Sequence, residues 1–222
     1  MNIKILKSKN RYYFLINEKK KILTPNGNLL EVPRKTHAEI IVKEINKQIQ
    51  SKDPCSLVNL TYFSCNLSLD EKKRIKKKLI EILCFDIVLF RCFEDEELEK
   101  LINKKLNPFM DKFEKKFKLN LTFIYSIVIS PKFKSRNFNN YLNKLDNYQL
   151  TVLFKLATLT NSVILSYFFL IKEISYNALF KLTNLEYNYQ QKRWGVVSEQ
   201  IQIEKNYYES LKKISFFFKN IN

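Results

Sequence analysis

Glycine is almost missing from this chain: of 222 residues only Gly27 and Gly195 lack a side chain. Phosphate-cradling loops and dinucleotide-binding turns need several glycines where backbone closes on a ligand, so neither motif can be present. Histidine occurs once, as His37, which removes the usual base of nucleophilic triads and the commonest metal ligand. Cys55, Cys65, Cys84 and Cys92 show no C-x-x-C spacing, and three of them sit among apolar or aromatic neighbours. They are expected to be free structural thiols, with no metal site. The carboxylates Asp95, Glu96 and Glu97 fit an acidic first helical turn better than an acid/base pair. No catalytic residue, cofactor or small-molecule substrate is therefore expected, and the chain reads as a binding protein.

Arginine is also scarce. Lys and Arg together number 39 and give a net charge of +17, yet only Arg11, Arg34, Arg74, Arg91, Arg136 and Arg193 carry the forked guanidinium favoured for phosphate contacts. The densest basic run, Lys72 to Lys78, brackets Ile75 and Leu79 at helical spacing and reads as a solvated helix face. A lysine-driven nucleic-acid-binding module is the alternative function, and a clustered basic face would favour it. A peripheral membrane protein is a third reading, requiring an exposed amphipathic helix with basic flanks.

What is abundant is apolar surface: 45% of residues are hydrophobic and 14% aromatic, enough for a folded core. Met1 to Lys9 alternates as a strand does, and Arg11–Ile16, Lys21–Pro25 and Leu29–Pro33 follow as short strands separated by Asn17–Lys20 and by Asn26-Gly27. Thr36-His37-Ala38-Glu39 has the form of a capping box opening a helix to about Gln50, with Ala38, Ile41, Val42, Ile45 and Ile49 as its stripe. Ser68-Leu69-Asp70-Glu71 is a second box, opening a helix that ends near Cys84. Phe85 to Cys92 is apolar and open between strand and tight helical turn. A helix is expected from Glu94, another from Asn107-Pro108 as cap and first residue, and an extended segment over 120–130.

Leu150 to Ile171 is the most apolar stretch, but Lys155, Asn161 and several hydroxyls interrupt it, so a buried core helix is expected there rather than a membrane span. Ser175 caps a helix running toward Trp194-Gly195, and a last one spans about Val197 to Lys219 with Ile201, Tyr208, Leu211, Ile214 and Phe218 on its inner face. The expected class is α+β: a strand-rich N-terminal domain with one helix over 1–52, then a helical domain over 53–222.

The segment from Leu185 to Gly195 keeps the single Trp and one of the two glycines. A core Trp between two helices, with Gly195 as a positive-φ C-cap, accounts for it structurally. Leu185, the acidic Glu186, Gln190 and Trp194-Gly195 also match, in order and spacing, a C-terminal motif, and here the sequence resembles the ATP-twelve chaperones. Tyr187 stands where that family has Glu. The likeness extends along the chain through Arg11-Tyr12-Tyr13, Thr24-Pro25, Leu30 with Val32-Pro33, and Glu44 with Gln48 around Ile45 in place of Trp. Asp86 through Arg91, with Phe90 replacing Tyr, and Leu106-Asn107-Pro108 continue it.

The resemblance implies an assembly chaperone that binds the free alpha subunit of the F-one sector of ATP synthase and yields it to beta, without using nucleotide. It implies partner contacts at Glu186, Gln190, Trp194 and Gly195, and at Asp86 and Arg91 unless those two form a structural ion pair. Because the matched pattern begins by residue 11, a bacterial cytoplasm is expected rather than a mitochondrial matrix.

Overall fold

A computed structural model describes residues 3–17, 19–46, 52–91, 94–125, 135–195 and 197–222. The alternating N-terminal residues form an antiparallel sheet in which β2 (Arg11–Ile16) lies between β1 (Ile3–Ser8) and the short strands β3 (Lys20–Lys21) and β4 (Glu31–Val32). Ser8 faces Arg11, so Lys9-Asn10 is a two-residue hairpin, with Lys9 at positive φ. Gly27 (φ 82°) closes the next turn by donating to the Thr24 carbonyl at 2.9 Å. The fold class is α+β, as expected, with helices filling the rest of the described chain.

Helix α1 (Lys35–Asn46) starts earlier than the expected box. Ala38 N–H donates to the Arg34 carbonyl at 3.1 Å, which makes Thr36 already helical and unable to cap, while Glu39 lies 3.9 Å from Lys35 Nζ instead. The expected end near Gln50 falls outside the described residues. Helix α2 (Leu57–Asn66), capped by Ser56, was not signalled in the sequence, because it has no charged residue to give its apolar positions a period. The second box forms as expected: Ser68 N–H donates to Glu71 Oε2 at 2.7 Å and Glu71 N–H to Ser68 Oγ at 3.2 Å, opening α3 (Leu69–Cys84). On α3, Ile75, Leu79 and Leu83 are buried, while Lys73, Arg74, Lys77 and Lys78 are exposed.

Ile87–Leu89 is a single 3-10 turn, after which Phe90 pairs in parallel with Ile124. Pro108 does not begin a helix. It lies inside the 22-residue α4 (Glu96–Phe117), whose buried row Leu98, Ile102, Leu106, Met110, Phe113 and Phe117 continues past it unbroken. Asn107 is not a cap because its side chain accepts from Arg91. After α5 (Arg136–Lys144), the apolar stretch is two helices, α6 (Asn147–Thr160) and α7 (Val163–Leu170), parted by Asn161 at φ 51° and the Ser162 cap. Among the described residues no helix is long and apolar enough to cross a membrane. Ser175 caps α8 (Tyr176–Thr183), as expected, but a break at Asn184 starts α9 (Leu185–Trp194) anew. Helix α10 (Ser198–Ile221) buries Leu211, Ile214 and Phe218, whereas Ile201 and Ile203 are exposed, so its first half does not cover the core as expected.

The chain falls into two compact units. The first comprises Met1–Lys72, Asp146–Val152 and Lys212–Asn222, and the second Lys73–Leu145 and Leu153–Leu211. The first unit is centred on buried His37, whose Nε2 lies 2.9 Å from Thr61 Oγ1 and whose ring meets Tyr148 and Phe217 edge-on. The Thr61 hydroxyl spends its one proton on the Leu57 carbonyl (2.7 Å), so the His37 Nε2–H is the donor and Nδ1 the bare, buried acceptor. Burial holds the His37 pKa down to about 4. Inside the second unit Phe113, Phe117, Phe138 and Tyr167 pack at ring-centroid distances of 4.7 to 5.4 Å.

Candidate functional site

Residues at i, i+4 and i+8 of a helix form one slightly drifting stripe. In α9 those positions are Glu186, Gln190 and Trp194, so the motif residues share one face; Gln190 Nε2 donates to Glu186 Oε1 at 3.1 Å. Trp194 is 70% exposed. It is therefore not a core Trp between helices, and its main companion is the Arg193 guanidinium, 5.7 Å from the ring centroid. Gly195 ends the helix at φ 88° and ψ 175°, donating to the Gln191 carbonyl at 2.9 Å. Nothing lies within 4 Å of where its Cβ would be. Backbone conformation alone therefore demands glycine here, as the C-cap expectation held.

What steadies α9 is a neighbouring row. Tyr189 OH donates to both Asp95 oxygens at 3.0 Å, and Arg193 Nη1 reaches Asp95 Oδ2 at 2.7 Å. Asp95 also caps α4 by accepting from Leu98 N–H at 3.0 Å. That amide first, with Tyr189 and Arg193 adding to it, holds the Asp95 pKa below the usual carboxylate value. Sequence reasoning saw Asp95 only as part of an acidic first turn. The signal for more was the Tyr189/Arg193 pair, one turn apart on α9 and one step around from the motif stripe.

Asp86 is wholly buried. Its Oδ1 accepts from Val88 N–H at 3.0 Å and its Oδ2 from Ile164 N–H at 2.9 Å, so one carboxylate caps both the 3-10 turn and α7. Burial pushes its pKa up to about 6, against those amides and the Ser162 hydroxyl, which pull it down. Arg91, 7% exposed, donates from Nε to Asn103 Oδ1 (2.7 Å), from Nη1 to the Val88 and Phe90 carbonyls (2.8 and 2.6 Å), and from Nη2 to Asn107 Oδ1. Its guanidinium stacks 4.1 Å from the Phe123 ring centroid. Asp86 and Arg91 thus do not form the ion pair considered from sequence: each is satisfied by other groups.

Arg91 and Glu186 do meet at one place. Both line a cleft of about 470 Å3 in the second unit, together with Ile87, Phe90, Leu182 and Leu185. Gln190, Trp194, Gly195 and Asp86 are not among its lining residues. The arrangement offers a charged, partly apolar recess. Among the described residues no cluster of His, Cys, Asp and Glu could hold a metal ion. Cys65 and Cys84 are free cysteines, and Cys92 lies outside the described residues.

The family model for the ATP12 chaperone protein matches residues 2–114. This chain belongs to the ATP12 chaperone family. A relative is the mitochondrial atp12 protein of Schizosaccharomyces pombe, 24% identical over 197 residues, which cover 82% of this chain and 68% of that one. Among solved structures, Atp12 from Paracoccus denitrificans is similar over 100% of this chain and 97% of its own, with a TM-score of 0.83 and 19% identity. The Atu1473 protein of Agrobacterium tumefaciens has the same TM-score at 15% identity, covering 100% of this chain and 84% of its own. These likenesses establish the fold across the whole chain.

Proposed function

We propose that this ATP12-family chaperone binds the unassembled alpha subunit of the F-one sector of ATP synthase, shields it from aggregation and releases it to the beta subunit. A ring subunit before assembly exposes apolar faces meant for its neighbours, and a partner that covers them prevents association of the wrong kind. Such work needs a surface rather than a reaction. The observation that carries the reading is the α9 stripe: in a family of chaperones, this chain leaves its one Trp exposed beside Glu186 and Gln190, on a helix fastened down by Asp95. A rigid, exposed aromatic with a polar surround is the usual form of an interface anchor. Glu186 supplies charge, Gln190 a side-chain amide, and Gly195 the turn that ends the stripe. Asp86 and Arg91 act from beneath, holding the turn and helix starts on which the cleft is built.

The test is co-purification with alpha and beta expressed separately, at moderate salt. Recovery of alpha and not beta is expected, with Trp194→Ala weakening it by about thirtyfold, as a central anchor does, and Glu186→Lys abolishing it while the circular dichroism of both variants is unchanged. Equal recovery of both subunits, or full retention by both variants, would overturn the assignment.

A further inference from the structure

Leu182 and Leu185, which line the Glu186 cleft, also border a second hollow, a groove of about 730 Å3 in the second unit. Its floor is apolar, formed by Leu101 and Phe109 of α4, Ile174, Ala178 and Leu182 around α8, and Leu185 of α9. All six are half-buried, so each still presents apolar surface. The rim is of one sign: Lys105, Lys181 and Lys192 stand exposed around it, and no ion-pair partner neutralises any of the three among the described residues. Among the described residues no acidic side chain lines it.

From this geometry we infer that the groove is a docking site for an amphipathic segment of the client that carries carboxylates beside its apolar residues. The inference rests on the chaperone reading above and names the chemistry of the segment that is held. Charge complementarity selects it. Apolar side chains enter the floor as a helix face does in a groove, and Glu or Asp at the segment's edges neutralises the three lysines. The volume lies within the roughly 300–1,000 Å3 typical of pockets that enclose a ligand. A neutral apolar segment would leave the lysines unmatched, and a basic one would be repelled. Exposed pairs of this kind exchange readily, which suits a contact that must later be given up.

The test uses the full chain and a fluorescent helical peptide with leucines at i, i+3, i+4 and i+7 flanked by glutamates, alongside its twin with lysines for glutamates. The wild type should bind the acidic peptide and discriminate against the basic one. Combined reversal by Lys105→Glu, Lys181→Glu and Lys192→Glu should weaken the acidic peptide by on the order of tenfold and improve the basic twin. Ala178→Trp, which fills the floor, should weaken the acidic peptide without changing the charge. Reversal of Lys73, Arg74 and Lys77 on α3 controls for net charge and should leave binding in place; an equal loss there would overturn the inference, as would equal affinity for both peptides. The same variants are then offered the free alpha subunit. Alpha captured by the wild type and lost by the groove variants supports both readings. Alpha captured equally by all variants removes the groove as the client's site. Acidic peptide captured but alpha ignored removes the alpha-subunit reading and leaves the groove standing.

Discussion

His37 in the first unit and Asp86 in the second are both wholly buried ionisable groups, and they are accommodated in opposite ways. His37 in the first unit makes one side-chain hydrogen bond and leaves Nδ1 bare among aromatic rings. Asp86 in the second has both oxygens engaged by backbone amides. Their pKa shifts therefore drive stability in opposite directions. His37, lowered from 6.5 to about 4, is neutral in the fold; as pH falls from 6.5 toward 4 the unfolded chain takes a proton that the fold refuses, and roughly 3 kcal/mol of stability is lost. Asp86, raised from 3.8 to about 6, is protonated in the fold first; as pH rises from 3.8 to 6 its contribution declines by roughly 3 kcal/mol. Between pH 4 and 6 the two slopes nearly cancel. The difference teaches that a buried polar group can serve as a cap, where its hydrogen bonds are what matters, or as a shaped filler, where its neutrality is.

The contrast breaks most strongly at Asp86. Asp86→Ala strands the Val88 and Ile164 amides in the core and should cost roughly 4 kcal/mol at pH 7, read by urea unfolding. If the loss is under about 1 kcal/mol, the double cap is not what holds these turns. His37→Gln keeps a donor for Thr61 but no longer titrates. Its stability relative to the wild type should improve by roughly 3 kcal/mol as pH drops from 7 to 4, leaving the Asp86 slope visible alone. Parallel pH profiles for the two proteins would refute the assignment. Gly195→Ala, on the surface, should cost about 2 kcal/mol through backbone strain only, seen as a lowered thermal midpoint. Smallest of all, Trp194→Ala should change stability by less than about 0.5 kcal/mol while still weakening client binding by about thirtyfold, which separates anchor from core in one variant.

Most of the element types could be read from sequence, because period and caps are local. Ser68/Glu71, Ser175 and Gly195 do in the structure what their residue types predict. The failures have a shared cause. Pro108 and Asn107 look like a helix start until the long buried row of α4 and the Arg91 bond to Asn107 are known, and both are tertiary facts. Asn161 and Asn184 break helices that apolar spacing alone would carry through. At the candidate site, the stripe Glu186, Gln190 and Trp194 was visible as a motif, since four-residue spacing survives in sequence. Its fastening to Asp95 was not, because Tyr189 and Arg193 lie 94 and 98 residues away from that carboxylate in the chain.

The packing around His37 sets a schedule for synthesis. Its ring is closed in by Tyr148 and by Phe217, which follow it in the chain by 111 and 180 residues. The sheet leaves the ribosome before residues 212–222 do, yet its unit is complete only when they have emerged and returned to it. Until then the nascent sheet holds its apolar side open, so for the length of one translation this chaperone is itself a chain with an uncovered surface.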